Sequence, residues 1–261
     1  MRPTNQYHAA NQTRWEAASP GWARGADNRG LWRRCPKEPE LVLCARELEI
    51  LRDIAGKQVC VLGSGDNQVV FALAGLGAAV TSVDISRNQL DVAARRAKEL
   101  GLAVAFVQAD VTDLAVLDDG SFDVVYTGGH VAVWVADLVT YYGEAARILR
   151  PGGLFVVDEY HPFRRVWRDS KDSLVVESRY LDRGAFEYES TADVLRPEPG
   201  TVKSYEFHWT VGDFINAVLK AGCRIESVDE FGEEVADWEA APLQGLPEFL
   251  LIVARKDEGA R

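Results

Sequence analysis

Residues Gln58 to Ser86, QVCVLGSGDNQVVFALAGLGAAVTSVDIS, constrain this chain more than any other stretch. Val59 to Leu62 reads as a buried strand, Gly63-Ser64-Gly65 as a tight turn, the apolar run after it as a helix, and a second strand ends in Asp84. A strand that stops at glycines lets a ligand approach bare backbone, and the helix that follows presents N–H groups without partners. An acid about 20 residues downstream, at the tip of the next strand, can accept two hydrogen bonds from a ribose diol. The pattern is half of a nucleotide-type site.

Glycine spacing narrows the ligand. A dinucleotide turn carries a third glycine where this chain has Gln68, and no Gly-Lys-Ser/Thr ending marks a phosphate loop. A G-x-G turn followed by polar residues suits a ligand without phosphates. A third apolar strand, in VAFVQADVTDL (104–114), ends near Asp110, and ligands of open parallel sheets sit outside the carboxyl ends of the strands. Asp110 is then placed to accept from an adenine amine while Asp84 takes the ribose, with Ile85 and Val111 along the faces of the ring. Gln89, one turn into the helix after Asp84, either contacts adenine or belongs to a solvated helix face. Capping roles compete with these: Asp110 could cap the turn near Thr112, and Asp84 the helix after Ser86.

With these motifs in order, the chain resembles a class I S-adenosylmethionine-dependent methyltransferase. LGSGDN resembles the first motif, SVDIS the acidic second strand, QADV the adenine-binding acid, FDVVYTGG the fourth strand, and RILRPGGLFVVDEYHPF (147–163) the helix, turn and fifth strand. The likeness is weaker over residues 208–255. It implies a Rossmann-like, doubly wound α/β fold with a mostly parallel seven-stranded sheet and an antiparallel last strand (Leu250 to Arg255). The cofactor it implies is S-adenosylmethionine, with S-adenosylhomocysteine as product. The cofactor-binding set is Gly63, Ser64, Gly65, Asn67, Asp84, Ile85, Gln89, Asp110, Val111 and Thr127, the Gly63–Asn67 turn holding the methionine portion. Two positions depart from the family: Val61 stands where an acid is common, and Asn67 where a glycine is common.

At 261 residues the chain fits one elaborated domain. Residues 1–38 form an amino-terminal segment read as a helical lid, in which Asn11 to Glu16 starts a short helix and Ser19 to Pro39 is loop-like. Residues 40–162 form the core, with an apolar-periodic helix over 40–57 leading into the first strand. Residues 163–206 form a substrate-side β insertion after the fifth strand, with a hairpin between SLVVESRYL and AFEYESTADVL around Arg183-Gly184. Residues 207–255 complete the sheet. No apolar run is long enough to cross a bilayer, and the polar amino terminus does not read as a secretory signal. A cytoplasmic protein with reduced thiols is expected, since the four cysteines show no metal or C-x-x-C spacing. The formal net charge of −11 disfavours a nucleic-acid substrate, which requires a basic face. A small-molecule acceptor fits better, and the oligomeric state is left open.

Methyl transfer from a sulfonium is an in-line displacement with an activated leaving group, so holding the acceptor near the methyl and excluding water supply most of the rate. A base helps when the acceptor is a hydroxyl or a protonated amine. The candidates are His161 and Glu159 at the end of the fifth strand and His130 after the fourth. Each could instead make a structural hydrogen bond. His8 is expected to be exposed; Trp134 is to be buried in a short helix or else to pack above the cofactor, and His208 to cap the last helix with Thr210 or else to approach the pocket. Two other functions compete: a nicotinamide-dependent oxidoreductase, opposed by Gln68 and Asp110, and a non-catalytic S-adenosylmethionine-binding subunit.

Overall fold

Apolar runs become strands whose central members are buried on both faces, as a parallel sheet covered by helices requires. The computed structural model describes residues 5–65, 68–127, 129–168, 173–190, 202–232 and 244–259. The main sheet contains β1 (Gln58–Leu62), β2 (Ala79–Asp84), β3 (Val104–Gln108), β4 (Phe122–Thr127), β5 (Leu149–Tyr160), β8 (Cys223–Phe231) and β9 (Phe249–Lys256). Its order is β3-β2-β1-β4-β5-β9-β8. β9 runs antiparallel between β5 and β8, while β1 to β5 pair in parallel. Strands β1 and β4 lie near the middle, and strand order reverses at β1, so the carboxyl ends of β1, β2 and β4 open a crevice.

Helices cover both faces. On one, α6 (Leu138–Ile148) and α7 (Val211–Lys220) pack Tyr141, Tyr142, Phe214 and Val218 against Leu62, Val125, Phe155 and Val157. On the other, α4 (Val69–Gly75) and α5 (Arg87–Leu100) pack against Val61, Val80, Tyr126 and Val156. Local signals start these helices: Ser86 accepts from the Gln89 amide, Asp137 from the Thr140 amide, and Thr210 forms a capping box with Asp213. Thr210 thus caps the last helix, whereas the His208 ring lies 4.2 Å from that of Phe186.

Three expected elements differ. The amino-terminal segment is one 24-residue helix, α1 (Gln6–Arg29), running through Pro20, followed by α2 (Leu31–Arg34) instead of a loop. It buries small or polar residues, including Ala18, Ser19, Gly21 and Ala26, so no apolar period announces it. The helix expected over 40–57 shrinks to α3 (Ala45–Ile50), because Cys44 and Glu47 close a capping box that fixes its start. In the insertion, β6 (Phe186–Ser190) pairs with β7 (Val202–Glu206), not with 173–181, where Val176 makes a single bridge to Trp167 and stays exposed. The remainder of the proposed strand, from residue 191 on, lies outside the described residues. Among the described residues no helix is long and apolar enough to cross a membrane.

Polar contacts dock α1 across the carboxyl edge of the sheet. The Asn11 amide donates to the carbonyls of Trp134 (3.0 Å) and Tyr205 (2.9 Å) and accepts from the Tyr205 amide (2.7 Å), so it joins β7 as a neighbouring strand would. Gln12 donates to the Ile85 carbonyl, and Glu16 accepts from the amides of Arg87 and Asn88 at the start of α5. Removing a buried partner of several groups costs about 1–3 kcal/mol for each group left unsatisfied. Asn11→Ala is therefore expected to lower unfolding free energy by about 2 kcal/mol in urea titration. It should also speed proteolytic cleavage within α1.

Candidate active site

The crevice is a cavity of about 550 Å³, within the range of small-molecule sites. Its floor is made by the β1 turn, the tips of β2 and β3, and the segment after β4; α1 forms its roof with His8, Asn11, Trp15 and Trp22. Gly63 has φ +65°, and a Cβ there would stand 2.4 Å from Val131 Cγ1, so the turn excludes any side chain at this position. Gly65, at φ +50°, donates its amide to Asp84 Oδ2 at 2.7 Å. Ser64 lines the cavity, yet its hydroxyl is turned into the sheet, 2.6 Å from that of Ser82.

Asp84 is fixed from two sides, because its Oδ1 accepts from the Ser86 amide at 2.8 Å. The carboxylate ties the first turn to the start of α5 and still faces the cavity. Gln89 lies against Gly65; it is 5% exposed and its Oε1 is buried without a hydrogen-bond partner among the described residues. Asp110, Ile85 and Val111 also line the cavity. Asp110 Oδ1 accepts from the amide and hydroxyl of Thr112, so the capping role expected as an alternative is present as well.

His8, expected to be exposed, is buried beside Asp110. Its Nδ1 lies 2.7 Å from Asp110 Oδ2, and its Nε2 accepts from the Ala136 amide at 2.9 Å. The ring proton therefore sits on Nδ1 and is donated to the carboxylate. Burial raises the Asp110 pKa, but the hydrogen bonds from His8 and Thr112 outweigh it and hold the group below the usual carboxylate range. Nothing in the spacing of residues 102 apart signals this pair.

Of the three candidate bases only His130 reaches the cavity. It has φ 73°, a conformation that non-glycine residues adopt at the expense of strain. Its ring meets Tyr160 edge-on at 4.9 Å, and Arg165 donates to its Nε2. Burial, followed by the positive charge of Arg165 and His208, drives its pKa well below the ordinary value. The neutral ring carries its proton on Nδ1, and with Arg165 on Nε2 it has no lone pair with which to act as a base.

Glu159 and His161 are directed elsewhere. Side chains alternate along β5, and Asp158 and Tyr160 are the residues that face the cavity. Glu159 is buried beneath and accepts from the Ala132 amide at 2.9 Å. His161 accepts from the Phe163 amide and lies 2.6 Å from Glu230 of β8. Thr127 is fully buried and does not line the cavity. Asn67, together with Asp66 and Gly128, lies outside the described residues. Trp134, expected to be buried, lines the cavity, with Trp15 edge-on to it at 5.2 Å.

The chain is similar in sequence and fold to known methyltransferases. A methyltransferase domain model matches residues 60–157. A ubiquinone biosynthesis O-methyltransferase of Thiobacillus denitrificans is 33% identical over 141 residues, covering 52% of this chain and 58% of that protein. A ubiquinone/menaquinone biosynthesis C-methyltransferase of Bdellovibrio bacteriovorus is 41% identical over 108 residues, 41% of this chain and 45% of that protein. The chain thus spans about half the length of these curated relatives. The crystal structure of an S-adenosylmethionine-dependent methyltransferase from Mesorhizobium loti superposes with a TM-score of 0.60 at 28% identity, over 82% of this chain and 99% of that one.

Glu159 gives the site a pH signature. Burial pushes its carboxyl up to about 8 from an ordinary 4.5, against the backbone hydrogen bonds that lower it. A folded-state pKa above the unfolded one means that stability is fully present below about 4.5 and is lost as pH rises to about 8. Wild type should lose stability relative to Glu159→Gln across this window, read as diverging denaturation midpoints. Parallel midpoints across the window would count against a buried neutral carboxyl.

Proposed function

We propose that this chain, which belongs to the class I S-adenosylmethionine-dependent methyltransferases, transfers the methyl group of S-adenosylmethionine to an oxygen or nitrogen atom of a small molecule. The observation that carries this reading is the convergence of Gly65, Asp84, Gln89 and Asp110 on one roofed cavity. The residues fit the cofactor. Gln89 Oε1 is a buried acceptor without a donor among the described residues, the Asp84 carboxylate is held in place by two amides, and Gly63 and Gly65 line the cavity.

Asp84 takes the ribose hydroxyls, and Gln89 supplies a further acceptor beside it. Ile85 and Val111 flank the adenine ring. Asp110, already oriented by His8 and Thr112, accepts from the exocyclic amine. The Gly63–Gly65 backbone holds the methionine portion. S-adenosylmethionine supplies a methyl group on a positively charged sulfur, which is already a good leaving group. The protein's share is to orient the acceptor and exclude water, and α1 does the second by closing the cavity from above. Orientation of this kind is worth on the order of 7–11 kcal/mol. His130, a neutral ring held by Arg165, lines the acceptor side of the cavity.

The acceptor is a small molecule rather than a nucleic acid. The aromatic wall of Trp15, Trp134 and Tyr160 suits a flat compound, and the net charge of −11 disfavours a polyphosphate. An oxygen acceptor is in keeping with the O-methyltransferase among its relatives. We place the protein in the cytoplasm.

Calorimetric titration of S-adenosylmethionine into the wild type and Asp84→Ala tests the reading. Micromolar binding that weakens at least tenfold, about 1.4 kcal/mol, in the variant is the expected result. Absence of binding to the wild type would overturn it.

A further inference from the structure

Tyr126, Asp158 and Glu47 form a buried group that the scheme above does not use. Tyr126 of β4 stands in register with Val61 of β1 on one side and Val156 of β5 on the other. Asp158, two residues beyond Val156, shares their face of the sheet. The Tyr126 hydroxyl lies 2.6 Å from Glu47 Oε1 and 3.2 Å from Asp158 Oδ2. Glu47 is fully engaged, since its Oε2 accepts from the Cys44 amide at 2.8 Å. A single phenolic proton cannot serve two carboxylates. One of the two carboxylates then carries a proton; burial raises both, Asp158 more strongly than Glu47, so the phenolic proton goes to Glu47 and the Tyr126 oxygen accepts from Asp158 Oδ2.

Asp158 lines the cavity, and its Oδ1 is buried without a hydrogen-bond partner among the described residues. No described cation pairs with it. The groups acting on it are Glu47 from α3, Tyr126 from β4 and Glu159 on its own strand, none of them positive. Burial first, then the neighbouring acids Glu47 and Glu159, push its carboxyl well above the usual range. Such a group is neutral while the cavity holds no cation and ionises when one arrives.

We propose that Asp158 is the cation-binding group of the cavity and holds a primary ammonium of the ligand through its free oxygen. The proposal rests on the cofactor reading above. On binding, the ammonium nitrogen keeps its protons, and Asp158 gives up the one on Oδ2 to solvent. Tyr126 and Glu47 remain hydrogen-bonded to each other, so the ammonium itself is what stabilises the new carboxylate. The same chemistry has two sources: the α-ammonium of the cofactor's methionine portion, or an amine on the acceptor. Tyr160, next but one along β5, lines the cavity beside Asp158.

Calorimetry on the full chain near neutral pH, in two buffers of different ionisation enthalpy, reads affinity and proton release together. The ligands are S-adenosylhomocysteine, its analogue lacking the α-amine, and propylammonium. Asp158→Asn copies the neutral carboxyl, so its melting temperature should match that of the wild type.

If the cofactor is the source, S-adenosylhomocysteine binds wild type with release of about one proton. In the variant it loses that release and about tenfold in affinity, while the deamino analogue binds both alike. If the acceptor is the source, only propylammonium is sensitive to the substitution. Tyr126→Phe, which leaves the carboxyl in place, should keep the preference for the amine. Insensitivity of all three ligands to Asp158→Asn would overturn the proposal. Failure of both nucleosides to bind wild type, with propylammonium still sensitive to Asp158→Asn, would remove the cofactor reading and leave Asp158 standing.

Discussion

Two backbone amides converge on the Asp84 carboxylate, one from Gly65 and one from Ser86. They join three elements that the chain supplies separately: the turn after β1, the tip of β2 and the first residues of α5. The Gly65 amide can reach Asp84 because Gly63 lets the backbone turn with a positive φ directly against Val131. Buried amides and carboxylates without partners are costly, so this arrangement satisfies the backbone and fixes a charge at the mouth of the sheet in one step. The cavity wall formed by Ile85, Gln89 and Asp110 is built out from that fixed point.

The polarity of the cavity is uneven. Around Asp84 and Asp110 the carboxylates are oriented by donors from the protein, whereas at the β5 side Asp158 keeps an oxygen without a partner among the described residues. His130 stands between these regions as a neutral ring held by Arg165. Strong bases are therefore scarce near the aromatic wall. That suits a reaction in which alignment and dryness matter more than proton abstraction.

The antiparallel β9 followed from the family resemblance, whereas the strands themselves and the acids at the tips of β2 and β3 were legible because each is local. An apolar run, its end and the polar residue just past it lie within a few positions. Facing direction along β5 was not legible. Phe155, Val156 and Val157 are all buried, so the run carries no alternation to tell which of Asp158 and Glu159 would turn to the cavity. The expected bases Glu159 and His161 took the wrong parity, and Asp158 was overlooked. Helix α1 escaped for a different reason: it docks through Asn11, Gln12 and Glu16, and side chains that bond to distant backbone leave no periodic trace. The β6–β7 pairing spans residues 191–201, too far apart for turn chemistry to announce it.

Glu16 gives the roof a second consequence. Helix α5 begins with amides that have no acceptor within their own helix, and Glu16 takes those of Arg87 and Asn88, beside the cap that Ser86 provides for Gln89. Helix α1 is thus part of the foundation on which the floor rests, as well as its cover. Departure of α1 would loosen the start of α5, and with it Gln89 and one of the two amides that orient Asp84. Access to the site and the shape of its ribose-binding corner are in this way a single mechanical variable, so that an open chamber is also an unfinished one.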